Sequence, residues 1–204
     1  LTASEVQTAL GLAAAQTQTP GGMRPVARQA GAVQVLPLFG VVRQRMNLMT
    51  EMSGGTSTEQ FCAAFCRAMD DPAIKAVVLQ VDSPGGSVAG VPEMIEEMRR
   101  HLGGEHKPVI AVADAMMASA AYWIACGCAD EIVASPSAEV GSIGVIGLHQ
   151  DMSAALEAEG VKVTMITAGK HKGEGNPFGP LSEEDRAAWQ ARADKLNAEG
   201  ILKV

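Results

Sequence analysis

"AIKAVVLQVDSPGGS", residues 73–87, is the stretch on which the fold turns. Ala76, Val77, Val78, Leu79 and Val81 make a short apolar run, rich in β-branched residues and broken only by Gln80. Such a run reads as a buried strand, and the Pro-Gly-Gly that follows reads as the turn that ends it. Beyond the turn the spacing of Val91, Met94, Ile95 and Met98 becomes helical, to about Leu102. One strand, one turn and one helix therefore follow each other within thirty residues.

The same succession repeats outward in both directions. "AVQVLPLFGVV" from Ala32 is a strand; after a loop at 50–57, "TEQFCAAFCRAMDD" is a helix with Phe61, Phe65 and Met69 on one face. "PVIAVA" is the next strand, and the segment around Ser119 the next helix. "EIVAS" and "SIGVIG" are short strands, residues 150–159 a helix and "KVTMIT" a strand. A final helix follows Ser182, with that serine at its cap and acids in its first turn. Alternating strands and helices imply an α/β fold with a mainly parallel sheet covered by helices. Ahead of this domain, taken as 32–204, residues 1–31 read as a short helix opened by a Thr2-x-x-Glu5 capping box and a Pro/Gly-rich arm.

Composition narrows the function. A net charge of −7 with scattered lysines and arginines excludes the basic patch of a nucleic-acid surface. The four cysteines stand as Cys62-x3-Cys66 and Cys126-x-Cys128, neither a usual zinc spacing. Cys62 and Cys66 share the apolar face of their helix, so the expectation is buried free thiols, no metal, and a reducing, cytoplasmic setting. The apolar run 108–129 is interrupted by Asp114 and rich in small residues, which makes it a buried strand and helix, not a membrane span. Neither a signal peptide nor an anchor is visible. The chain starts at Leu1 and not at Met, so an upstream anchor that tethers it to a membrane is compatible with it.

Two places invite chemistry. The glycines of "VDSPGGS" leave backbone N–H groups unshielded, as an oxyanion hole requires, although Pro and Gly also serve plain turns. Ser119 lies where a strand gives way to a helix, among alanines that would let a substrate backbone approach; a small filler in a helix is the plainer reading. A serine nucleophile needs a base. The chain offers His101, His106, His149 and His171, or a lysine stripped of water so that its pKa falls toward neutrality. "ITAGKHKGEGNPF" holds Lys170 and Lys172 in a glycine-rich loop, where solvated surface lysines are also common.

Read together, "VDSPGGS", "MMASAAYWIA", "SPSAEVGSIGVIG" and "TAGKHKGEGNPFGPLSEED" closely resemble the signal peptide peptidase A family of serine proteases, over roughly residues 33–200. That family includes bacterial membrane-anchored peptidases and head-maturation proteases of tailed phages. The resemblance implies the Clp protease/crotonase-like fold of stacked strand–strand–helix units and a Ser–Lys dyad without cofactor. By position, Ser119 matches the nucleophile and Lys172 the general base, with Lys170 the weaker candidate. Gly86 and the N–H of Ala120 match the oxyanion donors, Gly85 shapes the turn, and Ser142 matches a hydroxyl that orients the amine. Ala120-Ala121 departs from the two glycines many relatives carry, which narrows the cleft but keeps the N–H.

The family also implies a peptide or protein substrate, a homo-oligomer, and small apolar side chains before the cleaved bond. The opening of the domain looks more like the phage branch, which cleaves scaffold and portal proteins in the procapsid, within the host cytoplasm. Other readings stay open: a bacterial peptidase that degrades cleaved signal peptides, a crotonase-type acyl-CoA enzyme, a non-catalytic assembly protein, or a Ser–His enzyme using His149 or His171.

Overall fold

The computed structural model describes residues 28–45 and 54–201. The expected N-terminal helix, and the arm up to residue 27, lie outside them. Two compact units are present: the described residues up to Ile143, joined by those from Gly200 onward, and Gly144–Glu199.

The first unit is built on a sheet of seven strands, β1 (Arg28–Ala30), β2 (Val33–Arg43), β3 (Thr56–Ser57), β4 (Ala76–Gly86), β5 (Val109–Ala118), β6 (Glu131–Ala134) and β7 (Glu139–Gly141). The order is β1-β2-β4-β5-β6, with β3 on β2 and β7 on β5. Only β1 is antiparallel; all other pairs are parallel. Helices α1 (Thr58–Asp70), α2 (Val91–Arg99) and α3 (Ala120–Cys128) make the crossovers that parallel neighbours need.

Side chains alternate across the sheet, so consecutive rungs feed two cores. Leu36, Leu79 and Ala111 stand in register in the larger one, with Phe61 and Phe65 of α1, Ile95 and Met98 of α2, and Ile124 of α3. Val35, Val78 and Ile110, one residue back, form a smaller buried cluster with Val112. Ser57 caps α1 by accepting the N–H of Gln60 at 3.3 Å, and Pro92 opens α2, where a missing N–H does no harm.

The sequence reading needs correction in three places. "DSPGGS" is not a turn that leads straight into a helix: β4 runs on through Gly86, and α2 begins only at Val91. Along the way its register shifts against both neighbours: β5 takes up extra residues opposite Val81–Ser83, and β4 itself takes up one opposite Phe39–Val41 of β2. Likewise β5 extends five residues past "PVIAVA", to Ala118. "SIGVIG" is irregular, its place in the sheet taken by Glu139–Gly141.

The second unit contains α4 (Ser153–Ala158) and most of α5 (Glu183–Ile201). Ser182 caps α5, its hydroxyl accepting the N–H of Asp185 at 3.1 Å, and Glu183, Glu184 and Asp185 fill the first turn as expected. "KVTMIT" is not a regular strand. Alternating apolar residues make a strand only beside a partner, and among its described residues this unit has none. No helix among the described residues is long and apolar enough to cross a membrane.

Candidate active site

Parallel strands that end in rank place their following loops together, and crevices at their carboxyl ends are where α/β sheets bind ligands. Val42 of β2 pairs with Gly86 of β4, Ser83 of β4 with Met117 of β5, and Ala118 of β5 with Gly141 of β7. The residue after Ala118 is Ser119.

Ser119 has φ 52° and ψ −123°, a backbone conformation that side-chain-bearing residues rarely take. It is held there from both sides: its N–H donates to the carbonyl of Gly141 at 2.8 Å, and its own carbonyl accepts the N–H of Trp123 at 3.0 Å. Its hydroxyl does not cap the helix it precedes. The oxygen of a serine at a helix N-cap ordinarily accepts one of the helix's first N–H groups; that of Ser119 does not. Ala120 and Ala121 behind it are buried and carry the first N–H groups of α3, which have no partner within the helix.

Gly85 closes the other side of this turn. A Cβ at Gly85 would lie 2.7 Å from the Ala118 carbonyl oxygen, 2.7 Å from Cβ of Ser119 and 2.8 Å from the Ala120 nitrogen. The backbone of β4 therefore runs directly against the serine, and no side chain fits between them. Gly86, at φ 153°, would bring a Cβ to 2.2 Å from the Val42 carbonyl oxygen. Gly85 is held by Ser83, a fully buried residue to which the sequence analysis gives no role. Its hydroxyl donates to the Gly40 carbonyl at 2.6 Å and accepts the Gly85 N–H at 3.1 Å. The signal was available, since a serine two residues before a glycine commonly closes such a local turn.

The structure thus brings Ser119, Ala120, Gly85, Gly86 and Gly141 to one edge of the sheet. Ser142 follows at once, exposed and at φ 53°, a second strained serine on the segment that anchors Ser119. A serine hydroxyl set beside the unpaired N–H groups of a helix start is a combination that can serve acyl transfer.

Of the candidate bases, His101 and His106 belong to the first unit, and His149, Lys170, His171 and Lys172 to the second. Lys172 is exposed in the loop after residue 169, its N–H donating to the Gly169 carbonyl at 3.3 Å. Lys170 is ion-paired with Glu184 at 2.7 Å. His171 contacts Glu174, and His149 has Nε2 2.9 Å from the Asn176 carbonyl oxygen. Trp189 of α5 packs on this loop so closely that a Cβ at Gly175 would meet its ring at 2.3 Å.

Residues 102–204 match Peptidase family S49. Capsid assembly protease C of Escherichia phage lambda is 34% identical over 84% of this chain and 38% of its own length. Head-tail preconnector protein GP5 of Enterobacteria phage P21 is 36% identical over 90% of this chain and 36% of its own. The chain thus spans little more than a third of these relatives. An enoyl-CoA hydratase from Polaromonas sp. JS666 is structurally similar at TM-score 0.45 and 19% identity, covering 87% of this chain and 80% of that one.

Proposed function

The chain belongs to Peptidase family S49, and on that footing we propose that it is a serine endopeptidase that cleaves phage capsid proteins during head assembly, using Ser119 as nucleophile and Lys172 as base. The observation that carries the reading is the backbone of Ser119, kept at φ 52° between β5 and α3 with its hydroxyl withheld from capping. Strain of this kind persists only where its surroundings impose it, and it concentrates at functional sites.

In this reading Oγ of Ser119 attacks the peptide carbonyl while its proton passes to the uncharged amine of Lys172. The negative charge on the carbonyl oxygen is met by the N–H groups of Gly86 and Ala120. The intermediate collapses as the leaving amine takes the proton from Lys172, and water then releases the acyl group by the same route. Ser142 orients the amine. Lys170, already paired with Glu184, is the weaker base. The capsid substrate rests on the phage relatives' names. Assembly into an oligomer is supported by Ile132, Val133, Val140 and Ile143, apolar residues that stay exposed on or beside β6 and β7.

Labelling with a fluorophosphonate, followed by peptide mapping, tests the assignment. Label should fall on Ser119 in the wild type and drop by about 10²–10⁴-fold in Lys172→Ala, the usual worth of a general base, while Lys170→Ala stays close to wild type. Label on another residue, or an unchanged rate in Lys172→Ala, overturns the dyad.

A further inference from the structure

Helix α1 carries Cys62 and Cys66 one turn apart, and the end of α2 carries Glu97 and, just past its last residue, His101. The two helices pack so that the ligand atoms of Cys66, Glu97 and His101 all lie within 4.8 Å of one another. Cys62 stands one turn before Cys66 on the same helix, which puts a second sulfur beside these three. All four side chains are partly buried, enclosed by packing yet reachable from solvent. None of them takes part in the Ser119 site.

We infer that Cys62, Cys66, Glu97 and His101 form a binding site for a divalent ion of the zinc class, one that clamps α1 to α2. Two sulfurs, one imidazole nitrogen and one carboxylate oxygen are the donors that such an ion prefers, whereas magnesium and calcium take oxygen. Around zinc, tetrahedral bonds of about 2.0–2.3 Å set neighbouring ligand atoms roughly 3.3–3.8 Å apart, so Cys66, Glu97 and His101, already within 4.8 Å of one another, have only a short way to close. Asp70 supplies the outer support that ligating histidines commonly have, its Oδ1 3.4 Å from Nδ1 of His101. Arg100 holds one carboxylate oxygen of Glu97 at 2.7 Å and offsets part of the negative charge of the filled site.

Binding forms two metal–sulfur bonds and releases the two thiol protons to solvent, with no change of oxidation state. Burial, and after it the neighbouring Cys66, pushes the empty-site Cys62 thiol up to about 12. A cysteine ligates as its thiolate, so the ion takes up both sulfurs in that form.

The test uses the whole chain, metal-stripped and kept reduced with a phosphine, titrated with cobalt(II). One equivalent should bring up thiolate-to-cobalt charge transfer in the near ultraviolet together with the strong visible bands of tetrahedral cobalt, and zinc should bleach both. Zinc should also shield Cys62 and Cys66, but not Cys126 and Cys128, from alkylation mapped by mass spectrometry, a readout on wild-type protein that needs no folded variant. Cys66→Ser and His101→Gln should each weaken cobalt binding at least tenfold, with the metal-free variants checked by circular dichroism; Cys126→Ser should not weaken it. An absent charge-transfer band in reduced wild type, protection on Cys126 and Cys128 instead, or a band that survives Cys66→Ser would each overturn the site.

Discussion

At Gly85 the distances leave no room for a single methyl group. Replacing it by alanine sets a Cβ 2.7 Å from Cβ of Ser119 and from the Ala118 carbonyl, at φ 88° where an L side chain is already strained. The serine and the backbone of β4 must move apart by most of an ångström. A displacement of that size typically lowers catalysis by about 100-fold. Gly85→Ala should therefore slow fluorophosphonate labelling of Ser119 by about two orders of magnitude, while the circular dichroism of the sheet persists. Labelling at the wild-type rate would show that the contact does not position the nucleophile. Sequence alone points to Ser119 and the glycine pair by their types and order. It does not show that the glycines press on the serine, because a contact between β4 and β5 joins residues more than thirty apart.

At the scale of the element, β4 shows which features the chain pattern conveys and which it conceals. Its apolar run announces the strand, but the Pro-Gly-Gly hides the strand's last residues, since those types are also what a turn would use. Ser83 ties β4 to β2 where their register shifts, its hydroxyl donating to the Gly40 carbonyl and accepting the Gly85 N–H. Ser83→Ala leaves the Gly40 carbonyl and the Gly85 N–H without that partner in a fully buried place. Such a loss costs about 1–3 kcal/mol for each stranded group. Urea denaturation should show a fall of about 2–4 kcal/mol with unchanged slope, and labelling of Ser119 should weaken in parallel. A change below about 0.5 kcal/mol, the range of ordinary surface substitutions, would mean the bulges hold without it. The α1–α2 cluster escaped the sequence for a related reason. Cys62 and Cys66 stand on α1, Glu97 on α2 and His101 just beyond its end, and only the packing of the two helices brings Cys66, Glu97 and His101 together.

For the first unit as a whole, stability against pH should carry the mark of one ion pair. His106 has Nε2 2.9 Å from Oδ1 of Asp130 and Nδ1 3.0 Å from the Gly104 carbonyl. Both ring nitrogens face acceptors, and only the charged imidazole carries two protons to give them. The Asp130 contact, and after it the Gly104 carbonyl, raise the His106 pKa above the usual 6.5. Asp130 in turn fixes the start of β5, its Oδ2 accepting the Val109 N–H at 2.8 Å and its own N–H donating to the Val109 carbonyl at 2.8 Å. The pair thus ties the segment after α2 to the strand that ends just before Ser119. Because the folded pKa lies above the unfolded one, its contribution is complete below about 6.5 and disappears as pH rises through the raised value. Urea midpoints measured from pH 5.5 to 8.5, with chelator present, should therefore fall more in the wild type than in His106→Gln. Asp130→Asn, which removes the charge and keeps the shape, should flatten the curve to the same degree. Parallel curves for all three proteins would mean that the pair adds nothing to folding.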